Sequence, residues 1–315
     1  METPQVAGMG RESTMGLIDR LVSAALPLTP KPIVRYVAGR YIAGDSVDDA
    51  MRTVQRLNDE GALGTVDALG EFVKSREIAR FETDRSLLVI EQIRSRGVRS
   101  GLSVKLTSLG LDIDRQFCRD NLLEILRLAE QLGVFVRIDM ENSPYTDATL
   151  ELGAEMWEKF PGRVGVVLQA YMRRTLDDVR RHAPSGISFR LCKGIYAEPS
   201  DIAFQERGEV QENYLAAMRL MFEHGSFVGL ATHDDYLIES AKGYITAQGI
   251  SDTGYEFQML LGVRESRRRD LIAAGHRLRV YVPFGEDWYG YSVRRLRENP
   301  AIAGHVFRSF FRRGG

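Results

Sequence analysis

Eight short apolar runs, rich in β-branched residues, alternate with longer stretches of helical period between residues 63 and 282, and this alternation restricts the fold more than any other feature. The runs lie near Leu63–Asp67, Leu102–Leu106, Val134–Ile138, Val164–Leu168, Ile187–Leu191, Phe227–Ala231, Tyr255–Leu260 and Leu278–Val282. A strand followed by a helix and another strand builds a parallel βαβ unit. Within Arg119–Leu132, Leu122, Leu123, Leu126 and Ala129 give the stripe of a helix packed on a sheet. Units of this kind close into a (β/α)8 barrel or lie open as a doubly wound sheet, and alternation alone allows both.

The position of polar residues favours the barrel. Nearly every run ends at its C-terminal edge in polar groups: Lys105, Asp139 with Glu141, Gln169, Arg190 with Lys193, Thr232 with His233, Gln258, and Tyr281. In a barrel these edges converge on one mouth, where sites of this fold lie. A chain of 315 residues suits one such domain. Residues 1–15 read as a flexible leader. Residues 16–60 read as helices packed on the barrel, interrupted at Pro27, Pro30 and Pro32, and residues 61–315 as the barrel itself.

Lys plus Arg number 42 and Asp plus Glu 43, so a net charge of -1 offers no general attraction to nucleic acid. The run Arg267–Arg269 reads as a solvated helix face. Cys118 and Cys192 belong to no Cys/His cluster and suggest a reducing compartment. The sequence has no apolar run of about 18 residues and no signal-like start, which points to a cytoplasmic protein, at most peripheral to a membrane.

In Arg137–Asn142, Asp139 and Glu141 stand two apart at a strand end and would share a face if the strand continued. Lys105, at the end of the preceding strand, is expected to pair with Asp139 and keep it ionised. Tyr291, Arg294, Arg295 and Glu298 fall at i, i+3, i+4 and i+7, on one helix face. Two arginines aimed into a cavity would clamp a small carboxylate, although such a face is more often only salt-bridged. Arg190, Lys193 and Gly194 would suit a phosphate or an electron-rich ring. The five histidines form no HxH or HExxH spacing, so no metal is expected, and no Walker or Rossmann glycine motif is present. These residues leave three other chemistries open: a metal-dependent lyase on Asp139, Glu141 and His233, a Schiff-base aldolase on Lys105 or Lys193, and a non-catalytic carboxylate-binding barrel.

The motifs SVKLTSLG, RIDMEN, VLQAY, RLCKGIY, ATHDD, EFQMLLGV and YVPFGEDWYGYSVRRLRENP, in that order from about residue 60 to 300, resemble the proline dehydrogenase family. The resemblance implies a (β/α)8 barrel that binds FAD without a Rossmann domain and oxidises L-proline to Δ1-pyrroline-5-carboxylate. It implies a quinone as electron acceptor, and a separate pyrroline-5-carboxylate dehydrogenase to take the product.

By the same resemblance, Asp139 and Lys105 stand beside the substrate. Arg294 and Arg295 hold its carboxylate, and Tyr196, Leu260, Tyr281 and Tyr291 close around its ring. Arg190 matches the arginine near flavin N5 and Gln169 the glutamine bonded to the isoalloxazine. Met140, Lys193, Gly194, Ile195, Thr232 and His233 match positions lining the flavin and its phosphates. Glu71 and Glu298 match gating positions, Glu71 as a partner of Arg294. One departure is visible: long bifunctional members carry Trp after the tyrosine of RLCKGIY, where this chain has Ala197. Phe307, Phe310 and Phe311 with Arg308, Arg312 and Arg313 suit either helix packing or peripheral membrane contact.

Overall fold

The computed structural model describes residues 39–286 and Trp288. By internal contacts the chain divides into two compact units, one of them Ala43–Gly285 and the other Met1–Ile42 with Glu286–Gly315. The first unit carries the fold. Its order is α1 (Val47–Asp59), β1 (Leu63–Ala68), α2 (Arg76–Arg96), β2 (Ser100–Val104), α3 (Arg115–Leu132), β3 (Val136–Ile138) and α4 (Thr146–Lys159). It continues with β4 (Val164–Gln169), α5 (Thr175–His182), β5 (Ser188–Cys192), α6 (Arg207–Glu223), β6 (Val228–Ala231), α7 (Asp235–Gln248), β7 (Tyr255–Leu260), α8 (Glu265–Ala273) and β8 (Leu278–Phe284).

Strands β1 to β8 form a closed parallel barrel in sequence order. β8 returns beside β1, with Tyr281 level with Thr65 and Phe284 level with Ala68. The barrel expectation holds, and the open sheet does not. α1 belongs to the same compact unit and packs against β1 and β8.

Local signals explain the element ends. Ser46 caps α1 in a reciprocal box with Asp49, and Ser75 caps α2 through the N–H of Ile78. α3 begins four residues before the sequence suggests, because Asp114 accepts from the N–H of Phe117 and so fixes a first turn that has no apolar stripe. Gly133, left-handed at φ 73°, ends it.

Alternate strand residues face the helices: Val66, Leu102, Val136, Val166, Phe189, Leu230, Phe257 and Val280 are all buried at 1% exposure or less. Each contributes roughly 1.5–3 kcal/mol by burial. Gly153 on α4 brings that helix so close to β4 that an added Cβ would strike Val166.

The inward positions are polar to an unusual degree for a barrel usually filled by branched aliphatics. Arg137 lies inside, its Nη1 donating to the carbonyls of Val166 and Ser188 at 3.0 and 2.7 Å. Gly165, level with Arg137 on β4, leaves that path open, since a Cβ there would fall 2.5 Å from the Ser188 carbonyl. The basic run on α8 is also more than a solvated face. Arg268 is 4% exposed and pairs with Glu60 at 2.6 Å, while Arg267 pairs with Asp235 and Glu239.

Candidate active site at the barrel mouth

Asp139 follows β3 directly, and its N–H still bonds the Val104 carbonyl of β2 at 2.8 Å, while its side chain meets groups from β2, β5 and β8. Three neighbours converge on it. Arg190 Nη1 of β5 lies 2.5 Å from Oδ1, Ser103 Oγ of β2 lies 3.2 Å from the same oxygen, and the Tyr281 hydroxyl of β8 donates to Oδ2 at 2.7 Å. The Arg190 guanidinium also sits 5.3 Å from the Tyr281 ring centre. Burial, with Asp139 and Asp67 alongside, raises the Tyr281 phenol far above its ordinary value, so it remains a donor.

Lys105 does not bond Asp139. Its ammonium lies 2.9 and 3.0 Å from the two carboxylate oxygens of Asp67, a residue the sequence reading passed over. Asp139 already has Arg190, Ser103 and Tyr281 as donors, whereas Asp67 on β1 lies on the other side of β2 and faces Lys105. Burial alone would lower the lysine, but the charges of Asp67 and Asp139 outweigh it and hold the ammonium protonated. That is the wrong direction for a Schiff-base nucleophile.

Glu141 likewise departs from expectation. β3 ends at Ile138, so the alternation of a strand does not carry Asp139 and Glu141 to the same face. Glu141 is fully buried and accepts from the N–H and hydroxyl of Thr107, at 3.1 and 2.5 Å. Thr107 in turn accepts from the N–H of Phe72, beside Glu71. Burial pushes the Glu141 carboxyl up to about 7 against those hydrogen bonds, with Lys105 lowering and Glu71 raising it. Glu141 therefore ties the loops after β1, β2 and β3 together.

On the opposite side of the mouth, Asp234 gathers Gln211 at 2.9 Å, Arg207 at 3.1 Å and Lys193 at 3.5 Å. Burial opposes its ionisation, yet Gln211, Lys193 and Arg207 hold it below the usual carboxylate range. Arg207 and Gln211 open α6 and were not singled out in the sequence; only their place in the first turn after the RLCKGIY segment hints at them. His233 Nε2 accepts from the N–H of Leu260 at 3.0 Å, which leaves Nδ1 as the protonated nitrogen of the neutral ring. Arg264, left-handed at φ 47°, donates to the His233 carbonyl at 2.7 Å.

Gln169, Met140 and Thr232 are buried at their strand ends, and Ile195 is exposed. Tyr196 and Leu260 are half-buried. Gly194 takes φ 109°, and any Cβ there would run into the Tyr171 ring, so glycine is required for the close approach. Glu71 is half-buried on the loop after β1 and acts electrostatically on Lys105 and Glu141. Tyr291, Arg294, Arg295 and Glu298 lie outside the described residues, as do Phe307, Arg308, Phe310, Phe311, Arg312 and Arg313. Among the described residues no group of three or more His, Cys, Asp or Glu side chains is arranged to hold a metal ion, and no helix is long and apolar enough to cross a membrane.

Residues 50–308 match the family described as proline dehydrogenase. The chain belongs to the proline dehydrogenase family. It is 39% identical over 274 residues to proline dehydrogenase 2 of Bacillus subtilis (strain 168), covering 87% of this chain and 90% of that one. It is 34% identical over 312 residues to proline dehydrogenase of Deinococcus radiodurans, covering 94% and 100%. The barrel also superposes on proline utilization A from Bdellovibrio bacteriovorus, in a crystal structure of the form inactivated by N-propargylglycine. That match has a TM-score of 0.80 at 24% identity and covers 92% of this chain but 37% of the longer one, a likeness of fold. Proline dehydrogenases are flavin-dependent oxidoreductases, and active sites of barrels of this kind lie at the mouth formed by the C-terminal strand ends.

Proposed function

We propose that this chain oxidises L-proline to Δ1-pyrroline-5-carboxylate, with FAD bound at the barrel mouth and a quinone as the final electron acceptor. The observation that carries the reading is the buried cluster of Asp139, Arg190, Tyr281, Lys105 and Asp67, set at the strand ends of a chain that belongs to this family.

The residues present suit an anionic dinucleotide. Arg190 presents a buried cation at the floor of the mouth, Lys193 and Arg207 supply further cations at its rim, and Gly194 lets the loop after β5 lie flat on Tyr171. Gln169, Met140, Ile195, Thr232 and His233 complete the proposed cofactor contacts. When bound, the flavin supplies the redox step by accepting a hydride from C5 of proline.

The protein contributes position and charge. Proline reacts with its amine neutral, so that the nitrogen lone pair assists the loss of hydride, and the charge-balanced set of Lys105, Arg190, Asp67 and Asp139 lines the site around it. Asp67 and Asp139 hold those cations in place. Tyr281, kept protonated, closes one wall with Tyr196 and Leu260, and Arg294, Arg295 and Tyr291 are proposed to hold the substrate carboxylate and ring. Glu71 and Glu298 are the proposed gate.

An absorption spectrum of the purified protein, taken anaerobically before and after L-proline, tests the whole reading. Flavin bands that bleach with proline are expected; a colourless protein that also fails to take up added FAD would overturn it.

A further inference from the structure

Inside the barrel, below Asp139, a second set of buried polar groups touches Arg190 from the far side. Arg190 Nε donates to Gln258 Oε1 at 2.6 Å. Gln258 Nε2 donates to Glu256 Oε1 at 2.8 Å, and Glu256 is held by Arg279, whose Nε and Nη2 lie 2.5 and 3.1 Å from its two oxygens. Arg279 is itself fixed by the Gly64 carbonyl at 2.6 Å. Gln258 and Glu256 are 6% and 1% exposed, so water does not compete for these bonds.

The order of donors is forced. Glu256 stays ionised, since Arg279 outweighs the effect of burial, and a carboxylate only accepts. The Gln258 amide must therefore turn its NH2 to Glu256 and its oxygen to Arg190. Arg190 on β5 and Gln258 on β7 are separated by β6, where Gly229 stands level with both Arg190 and Glu256. A Cβ on Gly229 would collide with the Gln258 amide, coming within 2.9 Å of its Cδ. The bare glycine is what lets two side chains meet across an intervening strand.

We propose that Gln258 is a positioning residue for Arg190: oriented by Glu256 and admitted by Gly229, it fixes the plane and depth of the guanidinium that the mouth presents to the cofactor. This rests on the placement of Arg190 beside the flavin proposed above. Nη1 and Nη2 are engaged by Asp139 and Ser103 on one side, and the Nε bond to Gln258 is the constraint on the other. Without it the guanidinium turns about its remaining bonds.

The test compares wild type with Gln258→Met, which removes the acceptor at similar volume, and Gly229→Ala, which displaces the amide without removing it. The readouts are the flavin midpoint potential, the limiting rate of anaerobic flavin reduction by proline, and proline affinity. Both variants should shift the potential and slow reduction by about tenfold or more while proline affinity changes less than about twofold. The double variant Arg190→Met/Gln258→Met should be no slower than Arg190→Met alone, because Gln258 acts through Arg190. Gly229→Ala gives the same reading should Gln258→Met fail to fold. A potential and rate equal to wild type, or a double variant slowed by the product of the single effects, overturns the inference. A wild type that takes up no flavin is a different failure: it removes the proposed function and this inference with it.

Discussion

Lys105 places its ammonium between the two carboxylate oxygens of Asp67, 2.9 and 3.0 Å away, with only 12% and 2% of the two side chains exposed. This pair, joined to Asp139 through charge rather than contact, sets the electrostatics of the mouth.

Removing either partner leaves a buried charge alone. Asp67→Ala is expected to destabilise the fold by roughly 3–5 kcal/mol and to release Lys105, whose protonated form burial then opposes. Chemical unfolding reads the first effect. The pH dependence of proline oxidation reads the second: an alkaline limb attributable to Lys105 should move to lower pH in Asp67→Asn. An unmoved profile would mean that Asp67 does not govern the lysine.

Tyr281→Phe deletes the hydroxyl that donates to Asp139 Oδ2 at 2.7 Å. A hydrogen bond to a charged group contributes about 1.5–3 kcal/mol, so a fall of roughly tenfold or more in kcat/KM for proline is expected with little loss of flavin. Steady-state kinetics and the ratio of flavin to protein absorbance check the two halves.

Glu141 gives the fold a pH dependence whose sign is fixed. Its carboxyl is raised to about 7 in the folded protein, so the folded chain retains a proton that the unfolded chain gives up near 4.3. That contribution is complete below the unfolded value and is lost as pH rises from there through about 7, to the extent of at most about 4 kcal/mol. Glu141→Gln keeps the bonds to Thr107 without the titration. The difference in Tm between this variant and wild type should grow in the variant's favour from pH 5 to pH 8; a difference independent of pH would refute the raised carboxyl.

Gly194→Ala imposes a side chain at φ 109° against the Tyr171 ring. Flavin content of the purified protein should drop, and Tm should fall by the equivalent of roughly 1–3 kcal/mol. Full flavin occupancy at unchanged Tm would show that the loop relaxes freely.

Arg294→Met and Arg295→Met, at the proposed carboxylate clamp, should each raise KM for proline strongly, by tenfold or more for a lost charge-assisted bond of about 1.5–3 kcal/mol. Binding of a proline analogue that lacks the carboxylate should be insensitive to both changes.

The sequence by itself determined the number, kind and order of the barrel strands. Its apolar runs match β1 to β8 closely because burial on the helix-facing side demands β-branched and aliphatic residues wherever the chain runs. It also determined which residues stand at the strand ends, and the family motifs assigned them a chemistry. What only the tertiary structure decided is which of those groups touch. The Lys105–Asp67, Arg190–Asp139 and Tyr281–Asp139 contacts join residues 38, 51 and 142 positions apart. β3 ends at Ile138, where its apolar run also ends, so the alternation that would have aimed Glu141 with Asp139 does not continue past the strand. The meeting of Arg190 and Gln258 depends on Gly229, a missing side chain on the strand between them, and strand register is set by closing the barrel. A pattern of residue types records where a side chain is buried; the partner it finds there is fixed by strand order, register and empty space, which exist only once the chain has closed on itself.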